Sequence, residues 1–459
     1  MHFRLRCRFY VYVLACCLLT GPVLRAENGA TRDTVSSTAS EPGDWPRWRG
    51  PRFDGISTET DWSHDWPESG PPQLWTAEVG IGFSSFSVAD GKLYTMGSVE
   101  IESFEVEEAA AASDSAESDP DNVKGKKRKR SPPREDIIWQ LDATKGDVLW
   151  KHTYPAKLIN RLHEGGPAAT PTIHDGLGYT VSKEGHFVCF DIENGEPQWT
   201  KDLAVELGVK MPNWGFSGSA LIVEELVIVE AGRTAAFDRT TGAPVWQTDA
   251  FRPGYSSPVK FTHPESGKTL VASLNNDFLL IVNAHNGHEV ARAPFKTSHP
   301  TNSCTPIITG DTLFLSSGYN RGCTLLQLKD GELARIYDNR NMRNHMNSCV
   351  LHEGSLFGFD GNTHSRRNGT IRCIDHATGE LRWKERGYGI GSLLLAGERI
   401  IALSDEGELL VLKPTPEKFE LLASCQVIQG KCWTPPVLCE GLLYVRNATG
   451  KLICIDLRK

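Results

Sequence analysis

The 459-residue sequence has no apolar run that is long enough to cross a lipid bilayer. The run from Phe9 to Leu19 ends after about 11 residues, whereas a spanning helix needs about 20. No transmembrane segment is therefore predicted. Because the run follows three arginines and precedes Leu24-Arg25-Ala26, it is typical of a secretory signal. We predict a signal peptide over residues 1–26 and an exported protein of the periplasm or cell envelope.

Cysteine is scarce beyond this segment. Of the twelve cysteines, Cys7, Cys16 and Cys17 lie in the predicted signal peptide, which leaves an odd number in the mature chain. At least one thiol is therefore free, and the disulfide pattern stays open. Lipid anchoring at Cys16 is not expected, because a signal that ended there would have a very short apolar core.

An excess of basic charge is also absent. The formal net charge is −8, and loss of residues 1–26, with four arginines and no acid, takes it to about −12. Because duplex binding needs clustered Lys and Arg, no nucleic-acid partner is expected. A basic run that begins at Lys124 follows an acidic run that begins at Glu100. The two runs can neutralise each other, and we predict a disordered insert over residues 99–135.

Common catalytic signatures are missing as well. The sequence contains no H-E-x-x-H, G-x-S-x-G, P-loop or paired C-x-x-C motif. A G-x-G-x-G at Gly387 leads into a predicted strand rather than a helix, so a dinucleotide site is not expected. His345 could ligate a metal or act as a base, or it could be a hydrogen-bonded histidine of a rim. We predict no catalytic residue and no metal site.

What the sequence does contain is a repeat with a period of about 45 residues, a length typical of one four-stranded β-propeller blade. Its signature is Asp-x3-Gly-x3-Trp, with Asn283, Gly287 and Ala291 as a weaker copy. The four full copies are Asp142-Gly146-Trp150, Asp191-Gly195-Trp199, Asp238-Gly242-Trp246 and Asp375-Gly379-Trp383.

Two further columns follow the same period. A Gly six residues before the Asp position marks a hairpin turn, because Gly adopts positive φ without strain. A small hydroxyl residue marks the start of each innermost strand, where we expect it to face the central channel; Pro435 replaces it in the last unit. The column contains Ser85, Thr170, Ser219, Ser257, Thr305, Ser348 and Ser392. Eight units can be counted, which predicts an all-β, eight-bladed β-propeller.

The chain ends predict how the ring closes. Leu74-Trp75 matches the outer-strand pattern but precedes the first unit, whereas the last unit lacks an outer strand before Lys459. We therefore expect the N-terminal strand to complete the last blade, which leaves no open sheet edge. A tryptophan that begins an outer strand is expected to wedge between neighbouring blades. These structural tryptophans are Trp75, Trp150, Trp199, Trp246 and Trp383.

The predicted domain organisation follows from these elements. Residues 27–43 are rich in Ser, Thr and Ala and are expected to form a flexible tether. Residues 44–70 form a Trp-, Arg- and Pro-containing leader, which could clamp a ligand but is expected to pack on the propeller. Residues 71–459 form the propeller.

Function is expected at the connections from each outer strand to the next inner strand, because a rigid ring tolerates variation there. Arg, Asn, His, Tyr and Trp recur in these connections, which suits a planar or anionic ligand, or a peptide, over the channel. A solvated rim without a ligand is the alternative. The candidate ligand-binding residues at the channel rim are Asn213, Trp214, Arg252, Tyr255, Asn302, Arg343, His345 and Trp433.

The repeats, the eight units and the terminal closure resemble the PQQ-like β-propeller repeat family. That family includes quinoprotein alcohol dehydrogenases and the propeller lipoprotein of outer-membrane protein assembly. The leader Trp45-Pro46-Arg47-Trp48-Arg49-Gly50-Pro51 also resembles exported propellers of planctomycete-type bacteria. The motif residues are architectural, so the resemblance implies a fold more than an activity.

The dehydrogenases of that family bind pyrroloquinoline quinone (PQQ) with calcium and have a disulfide between adjacent cysteines. Here the only adjacent pair, Cys16-Cys17, lies in the signal segment, and no C-x-x-C-H haem site is present. The expected function is therefore a non-catalytic binding scaffold, monomeric and without a cofactor, that binds an envelope protein or polysaccharide. The alternative is a divergent PQQ-dependent alcohol or sugar dehydrogenase.

Overall fold

A computed structural model of the chain describes residues 43–101 and 132–459. Its strands form eight sheets that stand in a ring, so the predicted all-β, eight-bladed β-propeller is confirmed. The predicted signal peptide, residues 1–26, and nearly all of the tether, residues 27–43, lie outside the described residues. In residues 43–101 and 132–459, no helix has the length and apolar character needed to cross a membrane.

Strands are numbered in chain order, and each blade has four strands from the axis outward. Blades 1 to 4 contain β3 (Ser87–Ala89), β4 (Lys92–Glu100), β5 (Arg134–Asp142), β6 (Val148–Pro155); β7 (Thr172–His174), β8 (Leu177–Val181), β9 (His186–Asp191), β10 (Pro197–Asp202); β11 (Leu221–Val223), β12 (Leu226–Glu230), β13 (Thr234–Asp238), β14 (Pro244–Gln247); and β15 (Val259–Thr262), β16 (Thr269–Leu274), β17 (Phe278–Asn283), β18 (Glu289–Pro294). A short helix α1 (Leu203–Glu206) follows β10.

The second half of the ring repeats this arrangement. Blades 5 to 7 contain β19 (Ile307–Thr309), β20 (Thr312–Ser317), β21 (Gly322–Lys329), β22 (Glu332–Asn339); β23 (Val350–His352), β24 (Ser355–Asp360), β25 (Thr370–Asp375), β26 (Leu381–Arg386); and β27 (Gly391–Ala396), β28 (Arg399–Ser404), β29 (Glu408–Leu412), β30 (Leu421–Gln426). Blade 8 contains β31 (Val437–Cys439), β32 (Leu442–Arg446), β33 (Lys451–Asp456) and the N-terminal β2 (Gln73–Glu78). A 3-10 helix (Thr363–Asn368) joins β24 to β25.

The N-terminal strand β2 closes the ring. It pairs antiparallel with β33, and Trp75 lies opposite Cys454. The outer strand of blade 8 therefore comes from the start of the propeller sequence, as predicted.

The Asp-x3-Gly-x3-Trp repeat joins several neighbouring blades. The indole N–H of Trp75 donates to the carbonyl of Ala143 at 3.1 Å, and its ring lies on Gly146, where a Cβ would come within 2.6 Å. Gly146 also has φ +78°, so the position needs Gly for two reasons. Trp150, Trp199 and Trp246 contact the following blade in the same way. Blade 5 uses Tyr337, whose hydroxyl donates to the carbonyl of His376 at 3.0 Å.

The hydroxyl column also joins neighbouring blades around the axis. The N–H groups of Ser85, Thr170 and Ser219 donate to the hydroxyls of Thr170, Ser219 and Ser257, at 3.2, 2.9 and 2.9 Å. The Ser85 hydroxyl donates to the Pro435 carbonyl at 3.1 Å, which links blade 1 to blade 8. These side chains are buried, so their main contacts are with the next blade, although Ser219 and Ser257 also line the channel.

The leader, residues 44–70, crosses the base of the ring, where the turns between the first and second strands lie. Trp45 pairs with Val88 of β3, and the Pro46 carbonyl accepts from the N–H of Ile173 in β7 at 2.8 Å. Farther along, β1 (Ile56–Ser57) pairs in parallel with β27 of blade 7. The leader therefore joins blades that are not adjacent in the ring.

The predicted insert is shorter than expected. Residues 99–100 and 134–135 belong to β4 and β5, with Val99 opposite Glu135 and Glu100 opposite Arg134. The Arg134 guanidinium lies 3.4 Å from the Glu100 carboxylate, so oppositely charged residues extend the hairpin. Residues 102–131 lie outside the described part.

The described cysteines, which are all those after the predicted signal peptide, are free thiols. Eight are buried, and Cys425 is half-buried. Burial raises the pKa of the Cys454 thiol to about 12 and of the Cys189 thiol to about 12, so both are neutral small core residues.

Candidate functional site

A cavity of about 310 Å³ opens on the face opposite the leader, which we call the mouth. Two kinds of connection meet there: those from each outer strand to the next blade, and those between the second and third strands. Because eight blades contribute, residues far apart in sequence surround one space. The principal lining side chains are Trp48, Phe83, His163, Lys183, Trp214, Tyr255, Tyr319, His345, Arg366, Asp405 and Trp433.

Trp48 of the leader lines the cavity from the base. Its indole N–H donates to the Thr305 hydroxyl at 2.8 Å, which holds the ring at the axis. Beyond Trp48 lies a small void of about 20 Å³, lined in part by Trp45 and Arg49. The Arg49 guanidinium is buried and donates to the carbonyl of Cys349 at 2.7 Å. The leader thus places Trp48 at the base of the cavity.

Aromatic rings form two walls of the cavity. Phe83 stacks on Trp433 with centroids 5.5 Å apart, and His163 meets Phe83 edge-on at 5.2 Å. Farther round the ring, Trp214 and Tyr255 form an edge-to-face pair at 5.7 Å. These side chains are half-buried and leave ring surface toward the cavity, which suits an apolar or aromatic ligand.

The structure brings four of the eight predicted rim residues together at the cavity: Trp214, Tyr255, His345 and Trp433. Asn213 is exposed at the mouth beside Trp214 but does not line the cavity.

The other three predicted rim residues have structural roles instead. Asn302 is buried, and its amide donates to the carbonyls of Asn275 and Phe295, each at 2.9 Å. Arg252 pairs with Asp277 at 2.6 Å, and Arg343 forms a two-pronged ion pair with Asp360. The Asn302 amide N–H groups and both guanidinium groups thus have acceptors within the protein, and none of the three residues lines the cavity.

His345 is held in its neutral form. Its Nδ1 accepts from the N–H of Thr363 at 3.3 Å, and burial lowers its pKa to about 4. The described residues contain no group of three or more His, Cys, Asp or Glu placed to hold a metal ion. The hydrogen-bonded interpretation of His345 is therefore the one that this geometry favours.

Most charges around the cavity are paired. The ammonium of Lys431 lies 2.7 Å from the carboxylate of Glu164, and Arg366 lies 3.4 Å from Asp405 and also contacts Glu406. Lys183 is different: it is 4 % exposed and its Nζ donates to the carbonyl of Trp214 at 2.9 Å. No carboxylate of the described residues lies within ion-pairing distance of it.

The sequence analysis missed Lys183, Phe83, Tyr319 and Trp48 as lining residues. Lys183 and Tyr319 belong to turns between second and third strands, which the topology places on the mouth face. That signal was available, because the insert of blade 1 occupies the same kind of connection. Trp48 could not be placed from sequence, since nothing in the leader specifies how far it reaches under the ring.

The lining residues do not fit the PQQ–calcium pair that the alternative function requires. Calcium takes six to eight oxygen ligands, usually with several carboxylates. Asp405 is the only carboxylate among the described residues that line the cavity, and Arg366 engages it. These residues therefore do not supply the oxygen ligands that calcium beside the quinone would need.

A buried acid near the mouth predicts a pH effect on stability. Glu230 is 6 % exposed, one of its carboxylate oxygens has no partner, and burial raises its pKa to about 8. Between about pH 4.5 and pH 8 the folded state thus keeps a proton on Glu230 that the unfolded state loses. The free energy of unfolding therefore falls as pH rises through this range. The free energy of unfolding of Glu230→Gln, taken relative to that of the wild type at the same pH, should therefore rise by on the order of 2–4 kcal/mol from pH 4 to pH 9.

Urea unfolding at both pH values measures this difference. Glu224→Gln is the matched control, because its side chain is 71 % exposed at a turn of the same blade. We expect no pH-dependent gain for the control. An equal gain in both variants would contradict the assignment to Glu230.

Comparison with known protein families identifies the family of this propeller. A family model, PQQ_2, described as outer membrane protein assembly factor BamB, matches residues 134–385, more than half of the chain. The chain belongs to this family. The predicted resemblance to PQQ-like β-propellers is therefore confirmed. The likeness of the leader to propellers of planctomycete-type bacteria stays a prediction.

Individual relatives agree with this PQQ-like propeller assignment. Outer membrane protein assembly factor BamB of Burkholderia pseudomallei (strain K96243) is 23% identical over 282 residues, which cover 59% of this chain and 67% of that protein. The crystal structure of BamB from Moraxella catarrhalis matches with a TM-score of 0.56 at 14% identity, over 84% of this chain and 97% of that one. Quinohemoprotein alcohol dehydrogenase from Comamonas testosteroni matches with a TM-score of 0.61 at 11% identity, over 93% and 82%. At these identities the structures establish the fold alone.

Proposed function

We propose that this PQQ-like propeller is an exported, non-catalytic binding scaffold of the cell envelope that binds a protein partner at its mouth. The observation that carries the proposal is the aromatic cavity at the mouth, which has Trp48 at its base and offers a ligand ring surfaces on several sides. Similarity to an outer membrane protein assembly factor supports an envelope protein as the partner.

Exposed apolar side chains beside the cavity support a protein partner. Leu162 is 76 % exposed in the connection from β6 to β7, and Met211 is 45 % exposed in the connection from β10 to β11. The indole N–H of Trp214 donates to the carbonyl of Arg161 at 3.2 Å, so the two connections are joined at the mouth. Apolar groups that remain exposed next to a concave site are typical of interaction surfaces.

The chemistry of the site supports binding more than catalysis. His345 is neutral and hydrogen-bonded, and Asp405 is engaged by Arg366. Neither residue is placed as an activated base beside a nucleophile. A quinone-dependent dehydrogenase remains the competing hypothesis; it predicts dye reduction when PQQ and calcium are added with alcohols or sugars.

Photo-crosslinking in cells that produce the protein natively tests the proposal. A benzophenone amino acid at position 162 should form an adduct with an envelope protein, whereas the same group at Val245 should not. Val245 is 51 % exposed, but it lies on the outer strand of blade 3. Adding Trp433→Ala should reduce the adduct at position 162 at least about fivefold, because it removes one aromatic wall of the mouth.

Three outcomes contradict the proposal. One is equal labelling from positions 162 and 245, and another is labelling that Trp433→Ala does not change. The third is an adduct that resists protease but is removed by glycosidases, which would indicate a polysaccharide partner.

A further inference from the structure

Lys183 has an environment that other cations of the cavity do not share. It lies in the turn between β8 and β9, 4 % exposed, and its ammonium donates one hydrogen bond, to the carbonyl of Trp214. An ammonium has three donors, so two remain for another acceptor. Asp136 attracts the charge through space, but it lies beyond ion-pairing distance, as do the other carboxylates of residues 43–101 and 132–459.

The neighbouring groups do not compensate this charge. Lys431 and Arg366 already have their own carboxylates, and Asp405 is engaged by Arg366. His163, next to Lys183, keeps its Nδ1 as an acceptor for the N–H of Gly165. Because a buried charge without a counter-ion is costly, the cavity is suited to an anion from outside the chain.

The size of the cavity limits what carries the anion. An engineered protein cavity of about 150 Å³ holds a benzene molecule, and the mouth cavity has about 310 Å³. The space therefore suits one ring with a short polar extension. Trp48, Phe83, Trp214 and Tyr255 supply ring surfaces for stacking, and one free ammonium matches one carboxylate.

We infer that the mouth cavity binds an aromatic monocarboxylate, with the carboxylate on the ammonium of Lys183 and the ring between the aromatic walls. The group that fits the proposed function is the C-terminal residue of a partner protein, aromatic and with a free carboxylate. A free aromatic acid has the same chemistry. The inference rests on the proposed function in taking the mouth as the binding site.

Calorimetric titration of the purified chain tests this inference with three probes: 3-phenylpropanoate, the peptide Ala-Ala-Phe, and the same peptide with a C-terminal amide. We expect the free peptide to bind and the amide to bind at least about tenfold more weakly, since the amide cannot pair with Lys183. Tight binding of phenylpropanoate as well would identify a free acid as a sufficient ligand. Binding of the peptide alone would identify a chain terminus.

Variants of Lys183 show whether the cation is responsible. Lys183→Met should lower the affinity for the free peptide at least about tenfold. Lys183→Arg should keep that affinity within about threefold of the wild-type value. Lys183→Met should also have a thermal midpoint no lower than that of the wild type, because a buried unpaired charge is replaced by an apolar chain of similar size. Lys418→Met, at a site 71% exposed, is the charge-matched control and should bind like the wild type.

The pH dependence gives an independent readout. Burial lowers the pKa of Lys183 to about 8 in the free protein, so the affinity should fall as pH rises above that value. Equal binding of acid and amide, unchanged binding by Lys183→Met, or no binding of any probe at millimolar concentration would overturn the inference. If position 162 still crosslinks to a protein in that case, the proposed function stands without it.

Discussion

Replacing Arg446 with alanine is expected to lower the free energy of unfolding by about 3–5 kcal/mol. Arg446 ends β32 of blade 8 and is fully buried. Its guanidinium donates to the carbonyls of Gly80, Ser84 and Met96 and to the Thr95 hydroxyl, at 2.8 to 3.1 Å. These acceptors lie in the connection from β2 to β3 and in β4 of blade 1, so the residue connects the last blade to the first.

The expected cost comes from the acceptors that alanine leaves behind. Each carbonyl that loses a donor in a dry site costs about 1–3 kcal/mol, and the lost volume adds to this. Urea unfolding followed by far-ultraviolet circular dichroism measures the change. Arg458→Ala is the control, because that side chain is 52 % exposed and pairs with Asp456; its cost should stay below about 1 kcal/mol. Equal costs for the two variants would contradict a role for Arg446 in ring closure.

Replacing Trp75 with alanine should cost about 3–5 kcal/mol, because the ring is 8 % exposed and packs between the last and first blades. The more informative result is its coupling to Gly146. Gly146→Ala should destabilise the protein by more than the backbone strain at positive φ explains, because the new Cβ would come within 2.6 Å of the Trp75 ring. In a Trp75→Ala background that clash is absent, so the loss of unfolding free energy caused by Gly146→Ala should be smaller by about 1–2 kcal/mol.

Gly91→Ala is the matched control for this cycle. Gly91 has φ +67°, close to the +78° of Gly146, but a Cβ there would meet nothing within 4 Å. Its cost should reflect backbone strain of about 1–3 kcal/mol and should not depend on Trp75. Additive effects of Gly146→Ala and Trp75→Ala would show that the repeat motif does not couple blades.

The blade count and the closure could be predicted because their signals are local and repeated. Each Gly-containing turn needs positive φ, and each tryptophan begins an outer strand, so several copies specify one register. The closing strand followed from Trp75, which carries an outer-strand pattern without a blade of its own. The extent of the insert was harder to predict, since the pairing of Glu100 with Arg134 depends on the hairpin geometry.

The mouth could be predicted only in part. Topology places Trp214 and Trp433 there, but it does not show which neighbouring group satisfies a polar side chain. Arg343 was expected at the rim, but it pairs with Asp360, 17 residues later in the sequence. Lys183 was overlooked although it has the least compensated charge at the site. Such assignments depend on distances between blades that no short motif contains.

The central claim is that the mouth is a ligand pocket with Lys183 as its buried cation. A crystal structure of the chain with Ala-Ala-Phe tests it most directly. We expect the terminal carboxylate within hydrogen-bond distance, about 3 Å, of Lys183 Nζ, and the phenyl ring among Trp48, Trp214 and Tyr255. A peptide bound at the outer strands, or one at the mouth with its carboxylate in solvent, would contradict it.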